Sequence, residues 1–260
     1  MTVAIIAAMP QELSALEAVL HVERTDSVAG RHFRWGRLGE EAVVLTLCGI
    51  GKVAAATTTA LLLDRYQVRA VLFTGVAGGL GAAVRVGDVV VGTSLLQHDM
   101  DASPLFPRWE VPGTGHARFM ADVAWSERLA AGARLVLAQP HEALMHFGIR
   151  SVPGLHQGLI ISGDQFIASA AASTALRTAL PDALAVEMEG AAVAQVCADF
   201  DRPFAVLRTI SDRADDQAHV DFPSFLTEVA AGYSRDIVLA ALSAATAPTC
   251  ASFAGCVQPG

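Results

Sequence analysis

Acidic or aromatic residues stand just beyond apolar runs at several places in this chain. Glu12 closes "AAMPQE", Asp164 and Phe166 lie in "SGDQF", Glu187 and Glu189 flank Met188 in "AVEMEG", and Ser211 and Asp212 end "RTISD". The turn "FTGVAGG" adds glycine backbone that a ligand can approach closely. Charged side chains are rarely buried unless paired, so carboxylates among apolar residues require an explanation. Two carboxylates in different surroundings can divide general-acid and general-base work. Each residue also has a plain structural reading. Glu12 could complement the dipole of the helix it opens, Phe166 could be core, Asp212 could cap a turn, and both glutamates could be solvated. In an open parallel sheet, ligands sit beyond the carboxyl ends of the strands. The placement of all these groups at such ends favours a site.

Other chemistry-bearing patterns fall short. "CGIGKVAAATT" (48–58) has Thr46 and Val53 where a phosphate-binding P-loop needs Gly and Ser/Thr. Its Gly49-x-Gly51-x-x-Ala54 spacing fits the dinucleotide form, yet the following strand ends "FTGVAGG" without an acid for a ribose. Close strand–helix packing accounts for these glycines. His141 and His146 in "HEALMH" are five apart and miss the i, i+4 face of a zinc site. "HDMD" (98–101) lacks supporting ligands, and no GxSxG elbow occurs. Metal and serine-nucleophile mechanisms therefore recede.

The elements that must position the acids are short Val/Ile/Leu runs alternating with Ala/Leu-rich stretches. Strands are expected at 3–9, 70–79, 87–96, 155–164 and 204–212, with a hairpin around Gly39. Helices are expected at 10–20, with Pro10 at the first position, at 52–66, and at 224–245. Residues 99–116 read as an irregular loop. Near-continuous apolar strands between helices imply a mainly parallel sheet covered on both faces. Residues 1–245 read as one domain and 246–260 as a peripheral tail.

Composition narrows the function classes. A net charge of −8 without a Lys/Arg cluster excludes the electrostatic footprint of a nucleic-acid binder. No apolar stretch approaches the roughly 18 residues of a membrane helix, and "MTVAIIAAMPQEL" reads as a core strand rather than a signal peptide. Cys48, Cys197, Cys250 and Cys256 have no metal-site spacing; the first two read as buried reduced thiols of a cytoplasmic protein.

In order along the chain, "AAMPQE", "GIGKVAAA", "TGVAGGL", "VGDVVV", "SGDQFI", "AVEMEG" and "RTISDRAD" resemble the 5′-methylthioadenosine/S-adenosylhomocysteine nucleosidases of the nucleoside phosphorylase superfamily. The resemblance implies a three-layer α/β/α sandwich with a central mixed, mainly parallel sheet, usually as a homodimer. It implies hydrolysis of the N-glycosidic bond of adenine thionucleosides by water, without a cofactor. Carried over, Glu12 is the base that activates water and Asp212 the acid that protonates adenine N7. Glu189 grips the ribose hydroxyls beside Met188, and Phe166 stacks on adenine with the Ile167 backbone near its edge. Ser211 and Arg208 support the two acids, Val76 and Gly78 line the site, and Glu187 is a supporting carboxylate. Val76 stands where many members have serine, and Phe106, with Trp109, could line the pocket of the 5′ substituent across a dimer interface. Rival readings are a phosphate-dependent phosphorylase, a nucleosidase for another adenine nucleoside such as an aminofutalosine, and a non-catalytic nucleoside-binding protein. Against the phosphorylase, Glu12 would repel an incoming phosphate.

Overall fold

Alternation along the first strand sets the architecture. In β1 (Val3–Ala7), Val3, Ile5 and Ala7 face one apolar layer while Ala4 and Ile6 face the other, so every residue is buried. That two-faced burial is why the strands read as continuous apolar runs. The computed structural model describes residues 2–214 and 222–246. The chain continues through α1 (Pro10–Glu17), β2 (His21–Val28), β3 (Arg31–Leu38), β4 (Glu41–Leu47), α2 (Lys52–Tyr66), β5 (Ala70–Gly79) and β6 (Val89–Gln97). Then come β7 (Phe119–Met120), α3 (Val123–Leu137), α4 (Glu142–His146), β8 (Leu155–Ser162), α5 (Ala170–Ala179) and β9 (Ala183–Glu187). The last elements are α6 (Gly190–Asp199), β10 (Phe204–Asp212), α7 (Phe222–Phe225), a π-helical turn (Leu226–Ala230) and α8 (Ala231–Thr246).

The strands form one mixed sheet. β1 runs parallel to β4 and β5, β5 parallel to β10, β6 parallel to β8, and β8 parallel to β9. β10 pairs antiparallel with β6, and β9 returns antiparallel onto the end of β5 through Gly78–Val186 and Gly79–Ala185. β5, β10, β6, β8 and β9 thus close into a ring, and β4, β3 and β2 extend from β1 as a flank. On one face, Leu13 and Leu16 of α1, Leu129 of α3 and Ile237 of α8 pack on Ile5, Leu72 and Leu207. On the other, Leu62 of α2 and Val193 of α6 pack on Ile6, Phe73 and Val206. Each fully buried Ile or Leu contributes roughly 1.5–3 kcal/mol relative to exposure, so these two layers hold the sheet.

Three departures from the sequence expectations have physical causes. β2, "HVERTDSV", is almost wholly exposed and has no apolar face; backbone pairing with β3, aided by Arg24 over the Trp35 ring, makes it a strand, and its charges suit an edge. The first helix ends at Glu17 instead of residue 20. The closing helix is interrupted by the π-helical turn, where Leu226, Val229 and Ala230 are all buried. Cys48 and Cys197 are buried and unpaired. The expected tail, with Cys250 and Cys256, lies outside the described residues. Among the described residues no helix is long and apolar enough to cross a membrane.

Candidate active site

The carboxyl ends of β1, β5, β9 and β10 and the loop after β8 surround one cavity of about 140 Å³. Glu12 is brought there by the start of α1. Met9 is the extended cap residue and Pro10 opens the helix, which turns the third helical residue back over the strand end. The amides of Ala8 (3.0 Å) and Met9 (2.8 Å) donate to Glu12 Oε2, and the Val76 amide donates to Oε1 at 3.0 Å. Gly75 makes room for this carboxylate: a Cβ there would stand 2.6 Å from Glu12 Oε1. Burial raises the Glu12 pKa above its usual value, against the opposing pull of the Arg208 cation and the three amides.

Behind Glu12, Arg208 of β10 is 1% exposed and lies over the Phe73 ring. Its Nη2 donates to Glu187 Oε2 at 2.8 Å, and its Nη1 to the carbonyls of Leu207 (3.0 Å) and Phe73 (3.4 Å). Glu187, the last residue of β9, also accepts from the Ser162 hydroxyl and from the amides of Glu189 (3.1 Å) and Gly190 (2.8 Å to Oε2). It is therefore a buried, paired carboxylate that fixes the turn from β9 into α6. Glu189 caps α6, is 6% exposed, and accepts the Gly51 amide at Oε1 (2.8 Å). Burial, then the neighbouring Glu187 charge, raises the Glu189 pKa to about 8. Both glutamates line the cavity, with Met188 between them.

The opposite wall is more open. Phe166, 50% exposed, and buried Ile167 line it from the loop after β8. Asp212 is half-buried at the end of β10, where Ser211 Oγ donates to its Oδ2 (2.8 Å) and the Ala214 amide to its Oδ1 (2.7 Å). Val76 and Gly78 form the floor between the walls. The structure thus brings Glu12, Val76, Gly78, Phe166, Ile167, Glu187, Met188, Glu189, Ser211 and Asp212 to one cavity, with Arg208 directly behind it. Phe106 is 37% exposed and is not among the residues that line the cavity of its own chain. The Trp109 indole donates to the His98 carbonyl at 3.1 Å. Among the described residues, no group of three or more His, Cys, Asp or Glu side chains could hold a metal ion.

Sequence reasoning passed over three contributors. Ser162 opens "SGDQF" at the polar end of its strand without a role assigned from the sequence, yet its hydroxyl joins Glu187 to the Ala191 amide at 2.8 Å. The "GIGK" turn reads as packing, whereas its Gly51 amide holds Glu189 and Ile50 lines the cavity. Gln165 also lines the cavity, and its position inside "SGDQF" was the available signal.

The sequence profile of the Phosphorylase superfamily matches residues 2–243. A 5′-methylthioadenosine/S-adenosylhomocysteine nucleosidase of Geobacillus thermodenitrificans is 38% identical over 246 residues, 94% of this chain and 97% of its own. The corresponding nucleosidase of Anoxybacillus flavithermus is 39% identical over 239 residues, 92% of this chain and 96% of its own. Among solved structures, the Neisseria meningitidis nucleosidase in complex with methylthio-immucillin-A superposes with a TM-score of 0.83 at 35% identity, covering 94% of this chain and 99% of that one. The nucleosidase of Colwellia psychrerythraea in complex with adenine gives a TM-score of 0.80 at 35% identity, covering 94% and 95%. With these lengths and identities, the chain belongs to the 5′-methylthioadenosine/S-adenosylhomocysteine nucleosidase family of the phosphorylase superfamily.

Proposed function

We propose that this protein hydrolyses the N-glycosidic bond of 5′-methylthioadenosine and S-adenosylhomocysteine, releasing adenine. The observation that carries the reading is one cavity with a buried carboxylate, Glu12, on one wall, a half-buried one, Asp212, on the other, and Glu189 lining the space they share. Glu12 Oε2 takes two amide hydrogen bonds and Oε1 only one. Oε1 therefore keeps an acceptor site for a water, and the raised pKa makes Glu12 a stronger base than a solvated carboxylate. Water, giving its proton to Glu12, attacks ribosyl C1′. The C1′–N9 bonding pair leaves with adenine while a proton passes from Asp212 to N7. Glu189 holds the ribose hydroxyls, and its carboxylate and that of Glu12 lie close to the positive charge that develops on the sugar. Phe166 offers its ring to the purine face.

Phosphorolysis on the same fold would need a cation facing the incoming phosphate. Arg208 is the buried cation nearest the site, and its guanidinium is engaged by Glu187 and two carbonyls. Glu12 occupies the side from which phosphate would come, and like charges repel strongly in a partly desolvated cavity. These observations favour water. Residues 1–245 act as a single nucleosidase domain in this reading, in the cytoplasm. The working unit is a homodimer in which Phe106 covers the 5′ end of the other protomer's cavity. Supporting this, Phe106 stands away from its own cavity, while Ile50 (59% exposed) and Val53 (78%) leave apolar surface uncovered at the start of α2. Incubation with methylthioadenosine, with and without inorganic phosphate, tests the reaction: adenine release at equal rates is expected. Release only with phosphate makes the protein a phosphorylase, and no release from any adenine nucleoside makes it a binding protein.

A further inference from the structure

The Gly49–Lys52 turn has the form of an anion-binding loop, running from strand through Gly-x-Gly-Lys into a helix. What it binds is two of the protein's own carboxyl side chains. The amide of Gly51, a residue at φ +97°, donates to Glu189 Oε1 at 2.8 Å. The next amide, of Lys52, donates to Asp164 Oδ1 at 2.8 Å. α2 carries no acid in its own first turn, so the positive end of the helix dipole is left to these two carboxylates from elsewhere in the chain.

The Lys52 ammonium then closes a ring. It donates to Asp99 Oδ1 at 2.6 Å, and the other oxygen of Asp99 accepts the Asp164 amide at 2.9 Å. It also donates to Gln97 Oε1 at 3.1 Å, and Gln97 Nε2 continues to Gln195 Oε1 at 2.8 Å, on the helix that Glu189 caps. Burial works against the Asp99 charge, but the bonds from Lys52 and the Asp164 amide outweigh it and hold its pKa below the usual value. "HDMD", which carries no metal-site partners, thus contributes a carboxylate that joins two loops.

We propose that the Lys52–Asp99 pair is a positioning device that fixes the ribose carboxylate Glu189 and the Phe166 loop in one relation to each other. This rests on the nucleosidase reading of the cavity. An exposed ion pair between two otherwise unengaged side chains does little. Here the Lys52 side chain is only 16% exposed, the Lys52 amide and Asp99 both bond Asp164 on the base-side loop, and the preceding Gly51 amide bonds Glu189 on the other wall. Without the ammonium, Asp99 and Asp164 become two like charges on adjoining loops, and the base-side loop keeps the Lys52 backbone amide but loses its second link to α2, through Asp99. Lys52 and Asp99 touch no substrate in this account; they act through Glu189 and residues 163–167.

The test compares Lys52→Met, Lys52→Arg and Asp99→Ala with wild type. Lys52→Met and Asp99→Ala are expected to raise KM for methylthioadenosine and the dissociation constant for adenine roughly tenfold, equivalent to about 1.4 kcal/mol, with kcat changed less than the binding constants. Lys52→Arg keeps the charge and is expected to recover most of the loss. Amide hydrogen exchange of the substrate-free variants is expected to quicken at residues 163–167 and 189–190, with α8 unchanged. Unaltered KM and adenine affinity in Lys52→Met, or faster exchange spread evenly over the whole protein, would overturn the proposal. If wild type itself releases no adenine, the nucleosidase reading fails, and the exchange pattern still decides whether the pair orders these loops.

Discussion

The two walls of the cavity are built differently. On the wall proposed to face the sugar, Glu12, Glu187, Glu189 and Arg208 are 1–7% exposed, and each is bonded to backbone groups or to one another. On the wall proposed to face the base, Phe166 is half exposed, Asp212 and Ser211 are half-buried, and the loop carrying Phe166 is tied to Lys52, Asp99 and the Glu187 carbonyl. The sugar wall is where charge develops, and fixed dipoles and charges act there without reorganising at the moment of reaction. The base wall must admit and release a flat heterocycle. In the proposed reaction, the more buried and more bonded wall stands where the bond breaks, and the more open one where adenine leaves.

Substitutions can break this contrast, and the largest effects fall on the reacting groups. Glu12→Gln and Asp212→Asn are each expected to lower kcat about 10²- to 10⁴-fold, the usual contribution of a positioned base or acid. Steady-state adenine release measures both, and near-normal turnover in either variant removes that residue from its role. Next comes Arg208→Met, which strands the Glu187 charge in the core. Breaking a buried pair by removing one partner costs about 3–5 kcal/mol, read as a lower urea midpoint with activity lost in parallel. A base-wall change should leave stability alone: Phe166→Ala is expected to raise KM about tenfold, in line with roughly 1–3 kcal/mol for base–aromatic stacking. A large fall in its thermal midpoint would mean that Phe166 is a structural residue.

The last effect is a pH dependence of the substrate-free protein. The Glu189 pKa stands at about 8, above the ordinary 4.5, chiefly through burial and then through the Glu187 charge. The folded state therefore holds this proton more tightly than the unfolded chain. Its contribution to stability is fully present below about 4.5 and is lost as the pH rises through about 8. Thermal midpoints should decline across that window in wild type and decline less in Glu189→Gln; parallel curves would contradict the assignment.

Much of the fold was legible because long apolar or amphipathic runs constrain themselves. The expected spans 52–66, 70–79 and 204–212 coincide with α2, β5 and β10. β2 was not legible, since an exposed, charged edge strand is defined by its backbone partner and not by its side chains. The two glutamates show the limit at the site itself. Residues two apart on one strand share a face, but β9 ends at Glu187 and Glu189 belongs to the cap of α6, so spacing alone could not assign them. The Arg208 side chain that separates their roles comes from β10, 21 residues away. Similarly, the glycines of "GIGK" advertise close approach, while what approaches, Glu189 and Asp164, comes from distant segments.

The central claim is that water, set up by the sugar wall, takes the place of adenine at C1′. The most direct measurement is methylthioadenosine cleavage in water labelled with heavy oxygen, without phosphate, followed by mass analysis of the sugar. The account predicts one label in the thioribose product at the C1 oxygen, with adenine unlabelled. A sugar 1-phosphate formed only when phosphate is supplied, or no cleavage in its absence, would contradict it.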